Sequence, residues 1–123
     1  MAQSSVAVVE RYLHALTDKN LADVPFAADV TFQGPLAPKL TGVEAVVDFL
    51  REMLPSIVDI RVERHIADGE YVATLFELET TFGVIPVCDC FQVVSGQLKQ
   101  IRPFYDPRRI LEGMARQRVE ETT

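Results

Sequence analysis

The apolar residues of this chain change their spacing part-way along, from about 3.6 residues to 2, and that change divides it into helices followed by strands. Val6, Val9, Tyr12, Leu13 and Leu16 recur at three- and four-residue intervals, predicting an amphipathic helix from Ser5 to about Thr17. Val43, Val46, Val47, Leu50 and Leu54 form a second such stripe, which Pro55 ends. From Ile60 the pattern alternates: Ile60-Arg61-Val62-Glu63-Arg64-His65-Ile66 reads as a strand, and Asp68-Gly69 as the turn of a hairpin. Tyr71 to Phe82, Val84 to Val94 and Leu98 to Tyr105 are further strands, separated by Gly83 and by Ser95-Gly96.

The remaining segments are read from turn and capping chemistry. Asn20 to Ala28 is predicted as a short helix interrupted at Pro25, with Asp29 at its end, and Val30 to Gln33 as a brief strand. Gly34, Pro35 and Pro38 place a loop next, and Thr41-Gly42-Val43-Glu44 has the spacing of a capping box that starts a helix at Val43. Asp106-Pro107 suits an N-cap and first helical position, so a short helix carrying Ile110, Leu111 and Met114 should follow, then a solvated tail over Glu120 to Thr123.

With 123 residues the chain is expected to be a single domain, its core spanning about residues 5–112. The 48% hydrophobic and 24% charged content suits a folded globular protein, and the net charge of −6 argues against nucleic acid or an anionic membrane as partner. With neither a spanning apolar run nor a signal-peptide pattern at Met1 to Ser5, the cytoplasm is the default expectation. Cys88 and Cys90 are one residue apart, where a disulfide would be strained; with only the distant His14 and His65 to help, they are expected to be structural thiols, not metal ligands. No Gly-rich phosphate loop or dinucleotide fingerprint is present, and no cofactor is expected.

Helices ahead of a meandering antiparallel sheet bury both sets of apolar faces if the sheet curves around them, giving an α+β fold with one concave chamber. The order of elements, and the strings Val9 to Leu16, Ala28 to Phe32, Asp89-Cys90-Phe91 and Ile101 to Asp106, resemble the nuclear transport factor 2-like superfamily, in its SnoaL-like polyketide cyclase and ketosteroid isomerase branch. The resemblance implies a cone-shaped barrel of the cystatin-like kind, an open-ended pocket for a small apolar molecule, and a homodimer formed through the outer sheet face.

By the same resemblance, Tyr12 and Asp89 match the tyrosine and aspartate that form an oxyanion hole in ketosteroid isomerases. A carboxyl in an apolar chamber resists ionisation and can donate a hydrogen bond, and with a phenol beside it would stabilise an enolate oxygen. Alternation agrees for Asp89, which shares a face with Ile85, Val87, Phe91 and Val93. The plain alternatives are an aspartate at a bulge or paired with Arg102, and a core tyrosine whose hydroxyl sits at the rim. Phe32, Gln33, Val87 and Phe91 are expected to line the pocket, together with Ile101, Arg102, Pro103 and Tyr105; Arg102 could hold a ligand carboxylate, or neutralise Asp89 or Asp106.

The isomerases' catalytic base falls on Gly34, where no carboxylate stands, and the second aspartate of an epoxide-hydrolase grouping falls on Pro103. His65, alternating with Arg61 and Glu63, is expected on the solvent or outer-sheet side, and His14 lies off the apolar stripe of its helix. Three functions fit: an enzyme for a carbonyl compound (isomerase, cyclase or dehydratase), a non-catalytic ligand-binding module, or a domain that works by dimerising.

Overall fold

The computed structural model describes residues 4–122. The first helix, α1 (Ser5–Asp18), starts on Ser4, whose hydroxyl accepts the Ala7 N–H, and stops at Lys19 in a left-handed conformation. Its buried face is Val8, Val9, Tyr12, Leu13, Ala15 and Leu16. Lys19 then reaches across to donate to the carbonyls of Leu54 and Ile57, at 2.6 and 2.9 Å. The end of α1 is thereby tied to the joint between the second helix and the sheet.

No helix follows over residues 20–28. Asn20 closes a local turn by accepting the Ala22 N–H, and β1 (Phe26–Gly34) begins directly after Pro25. Asp29, expected at a helix end, lies in this strand and pairs with Lys99. The predicted loop at Pro38 is instead the strand β2 (Ala37–Thr41): it is an edge strand, where proline removes no bond from a second partner. α2 (Val43–Met53) starts where expected, yet its cap is Gly42 at φ 98°, with no side-chain bond from Thr41. A 3₁₀ turn (Leu54–Ser56) leads into the sheet.

The meander is β3 (Ile57–Asp68), β4 (Tyr71–Thr80), β5 (Gly83–Val94) and β6 (Gln97–Phe104), antiparallel at every step. β6 then lies parallel to β1, so the six-stranded sheet, in the order β2-β1-β6-β5-β4-β3, is mixed and not wholly antiparallel. The sheet curves around α1 without closing.

Register shifts after Ile57 and after Val62 put bulges in β3, and the second changes which residues face inward. Val62 pairs with Phe76 but Arg64 pairs with Leu75, so Glu63 is the extra residue and His65 turns to the inner side, opposite Thr74. The simple alternation that placed His65 outside stops at the bulge. The last helix, α3 (Arg108–Thr122), runs through the segment expected to be a tail. Asp106 accepts the Arg108 N–H at its start, Ile110 is buried, and Gly113 packs against the ring of Phe82. Among the described residues no helix is long and apolar enough to cross a membrane.

Candidate functional site

β5 presents Ile85, Val87, Asp89, Phe91 and Val93 to the interior, all buried, as strand alternation requires. Asp89 is the one acid in that row. It is 4% exposed, and its Oδ1 is buried with no hydrogen-bond partner. Such an atom costs free energy unless something else, a ligand included, completes it. Tyr12 comes from the buried stripe of α1 and stacks edge-on against Phe91 and Phe26, with ring centres 5.6 and 6.3 Å away. Tyr105, just past β6, is half-buried nearby.

The electrostatics follow from burial without a cationic partner. Desolvation alone pushes the Asp89 carboxyl from 3.8 up to about 7, so near neutrality it exists in both protonation states. The Tyr12 phenol is held well above its usual value, first by burial and then by Asp89 and Tyr105. Tyr105 is pushed up to about 12 by burial and then by Asp89. Both phenols therefore remain hydrogen-bond donors at any ordinary pH. One carboxyl able to titrate beside two fixed donors can polarise a carbonyl oxygen and lend it a proton.

Of the residues expected at the site, Val87, Phe91, Ile101 and Pro103 are buried on the inner face beside Tyr12 and Asp89, and Pro103 pairs directly with Asp89 across the strands. Phe32 is buried with its ring 5.1 Å from that of Phe49. Gln33 and Arg102 do not join them. Each follows an inward residue in its strand and so is exposed on the other face, where the Arg102 guanidinium lies 5.3 Å from the centre of the Phe104 ring. Arg102 thus neutralises neither Asp89, across the sheet, nor Asp106, whose carboxylate is held by Arg108. Cys88 and Cys90 are free thiols on that same outer face, half-buried.

Gly34 and Pro103 exclude each other's alternatives. A Cβ on Gly34 would come within 2.8 Å of Pro103 Cγ, so the proline ring leaves no room for a side chain at position 34. Pro103 also leaves Asp89 without a second carboxylate opposite it, and Arg102 faces away, so the epoxide-hydrolase grouping is not formed.

Among the described residues, two cavities bear on the site. The larger, about 990 Å³, lies between α2, the end of β4 and α3; its apolar wall includes Phe49, Met53, Leu78, Phe82 and Met114. Neither Tyr12 nor Asp89 lines it. Packed side chains connect the two: Phe49 touches Phe32, Phe32 lies by Gly34, and Gly34 abuts Pro103. The smaller, about 450 Å³, is a groove between α1 and β3 lined by Glu10, His14, Asp59 and His65 over Leu13, Ile60 and Val62. No group of three or more His, Cys, Asp or Glu among the described residues could hold a metal ion.

Thr74, fully buried and opposite Asp89, is the polar residue that sequence reasoning passed over. The alternation of Val72, Thr74, Phe76 and Leu78 carried its signal.

The family model for SnoaL-like domains matches residues 9–120. The chain belongs to that family. Among solved structures it is similar to an NTF2-like protein of Cytophaga hutchinsonii (18% identity, 90% of this chain and 97% of that one, TM-score 0.78). A steroid delta-isomerase of Pseudomonas aeruginosa matches at 18% identity over 98% of this chain and 96% of the other, TM-score 0.75. An LEH-like epoxide hydrolase of M. tuberculosis matches at 22% identity over 96% and 94%, TM-score 0.71. At these identities the likeness is one of fold. Among curated proteins nothing matches.

Proposed function

We propose that this SnoaL-like protein binds a small, mostly apolar carbonyl compound, with the Tyr12 hydroxyl and the protonated Asp89 carboxyl directed at its oxygen, and promotes proton transfer there. The observation that carries the reading is the unpartnered Asp89 Oδ1 in an otherwise apolar row, beside a phenol that remains protonated. The ligand would come from the large cavity, displacing Phe49 and Phe32 to reach the two groups.

With Pro103 in the space of a second carboxylate, the site has an acid and no separate base. That suits dehydration, or ring closure of a substrate carrying its own nucleophile, better than a shuttle of one proton between two carbons. The test is incubation of the purified protein with a panel of apolar β-hydroxy ketones and diketones, with products followed by mass spectrometry. Turnover lost in Asp89→Asn and strongly reduced in Tyr12→Phe is expected; turnover unchanged in both would remove the two residues from the chemistry.

The tight packing between Gly34 and Pro103 favours a second reading, a binding module without catalysis. It requires saturable binding in the same panel with no product from any compound. For assembly, the outer face offers Leu75, Cys88 and Phe104 in one register row with Ile66 beside it, an apolar strip suited to a second copy of the chain.

A further inference from the structure

A row of polar side chains crosses the inner face of the sheet in strict register: His65 pairs with Thr74, and Thr74 with Asp89. Glu10 of α1 extends the row outward. His65 Nε2 lies 3.4 Å from Glu10 Oε1, and its Nδ1 lies 2.8 Å from Thr74 Oγ1. The side chain of Glu10 is 52% exposed and that of His65 17%, while Thr74 is at 0% and Asp89 at 4%. The row therefore runs from solvent into the core, with a group able to give or take a proton at every step.

We propose that Glu10, His65 and Thr74 form a proton relay that connects the water in the α1–β3 groove with the Asp89 carboxyl. The proposal rests on the reading of Asp89 as the working acid and adds the route by which that acid is reloaded. A ligand seated against Asp89 would close the approach from the large cavity, and the side chains of Val87, Phe91 and Pro103 carry no group that can pass a proton.

The chemistry of the row sets its direction. A carboxylate at Glu10 draws the N–H of His65 to Nε2, so Nδ1 is the acceptor and the Thr74 hydroxyl donates to it. Thr74 and Asp89 are paired directly across antiparallel strands, where Cβ atoms stand about 4.5–5.5 Å apart, and the bond the relay requires runs from the carboxyl oxygen that lacks a partner, Asp89 Oδ1, to the Thr74 oxygen. In discharge, the Asp89 proton passes to the Thr74 oxygen, the Thr74 proton to His65 Nδ1, and the Nε2 proton to Glu10, which releases it to water. One proton leaves Asp89 and one reaches solvent, leaving the imidazole protonated at Nδ1; that proton exchanges with groove water, and from this tautomer the reverse sequence reloads the acid.

The other ionisable groups around the row have different partners or a different face. Tyr12 and Tyr105 face Asp89 but remain protonated, His14 and Asp59 line the groove beside His65, Asp59 is paired with Arg61, and Cys88 and Cys90 lie on the outer side of the sheet. Glu10, His65 and Thr74 touch no substrate and act through Asp89 as positioning residues.

Infrared difference spectroscopy tests this without a substrate. The protonated Asp89 carbonyl band, identified by its loss in Asp89→Asn, is followed as its proton exchanges after transfer to D2O at pH 6. Thr74→Val and His65→Phe should each slow this exchange by about tenfold or more, the effect of a barrier about 1.4 kcal/mol higher, and Thr74→Ser should restore it. His65→Phe lies near the surface and serves if the Val variant does not fold. Unchanged exchange in the variants overturns the relay and leaves the acid role of Asp89 standing. Slowing matched by the backbone amides of β4 and β5 also overturns it, because local opening would then be the route. Absence of any band specific to Asp89 removes both the relay and the acid it serves.

Discussion

The Asp89 carboxyl favours the fold most while it is protonated. Below about pH 4 folded and unfolded chains both carry the proton; as pH rises toward 7 the unfolded carboxyl ionises while the buried one does not, so stability falls across that interval and levels off above it. The shift from 3.8 to about 7 corresponds to an effect on the order of 4 kcal/mol. Asp89→Asn should flatten this part of the curve, raising the melting temperature at pH 7.5 and leaving it nearly unchanged at pH 4. Equal slopes in thermal melts of the two proteins would contradict the assignment. At Gly34, an aspartate would be forced against the Pro103 ring and should cost about 1–3 kcal/mol in urea unfolding, with recovery in Gly34→Asp/Pro103→Ala. A single substitution therefore does not place a carboxylate there without strain.

Among elements, the joints are held by few contacts and are correspondingly easy to probe. Lys19 binds two carbonyls at the α2–β3 joint, and Lys19→Met should destabilise the fold by about 1.5–3 kcal/mol, the range for a charged hydrogen bond, read from the shift in urea midpoint. α3 depends on close approach at its second turn, since a Cβ on Gly113 would stand 2.1 Å from Phe82 Cδ1. Gly113→Ala should therefore release α3, with amide exchange in residues 108–122 speeding up while β4 and β5 keep their protection. The bulge at Glu63 is an element-scale device too, because it turns His65 toward α1.

For the whole molecule, the sheet separates two chemistries. Its inner face holds the polar row and the aromatic packing around Tyr12; its outer face carries Ile66, Leu75 and Phe104, 54%, 37% and 50% exposed. If two copies of the chain cover that strip, Leu75→Arg should convert the dimer to a monomer in sedimentation velocity without altering the Asp89 titration. A wild-type protein that sediments as a monomer at all concentrations would remove the assembly proposal.

Spacing alone determined α1, α2, the β3–β6 meander and the inward row around Asp89, because 3.6- and 2-residue periods are local properties of a chain with one buried side. It misplaced what non-local pairing controls. Residues 26–28 entered β1 because β6, far along the chain, supplied its partner, and Pro38 entered an edge strand because β1 pairs with it on one side only. His65 turned inward because a bulge shifted its phase, and Gln33 and Arg102 faced out because their neighbours Phe32 and Pro103 took the interior. Thr74 beside Asp89, and Pro103 in the space of Gly34, are facts of register between strands distant in sequence; only the folded sheet brings them together.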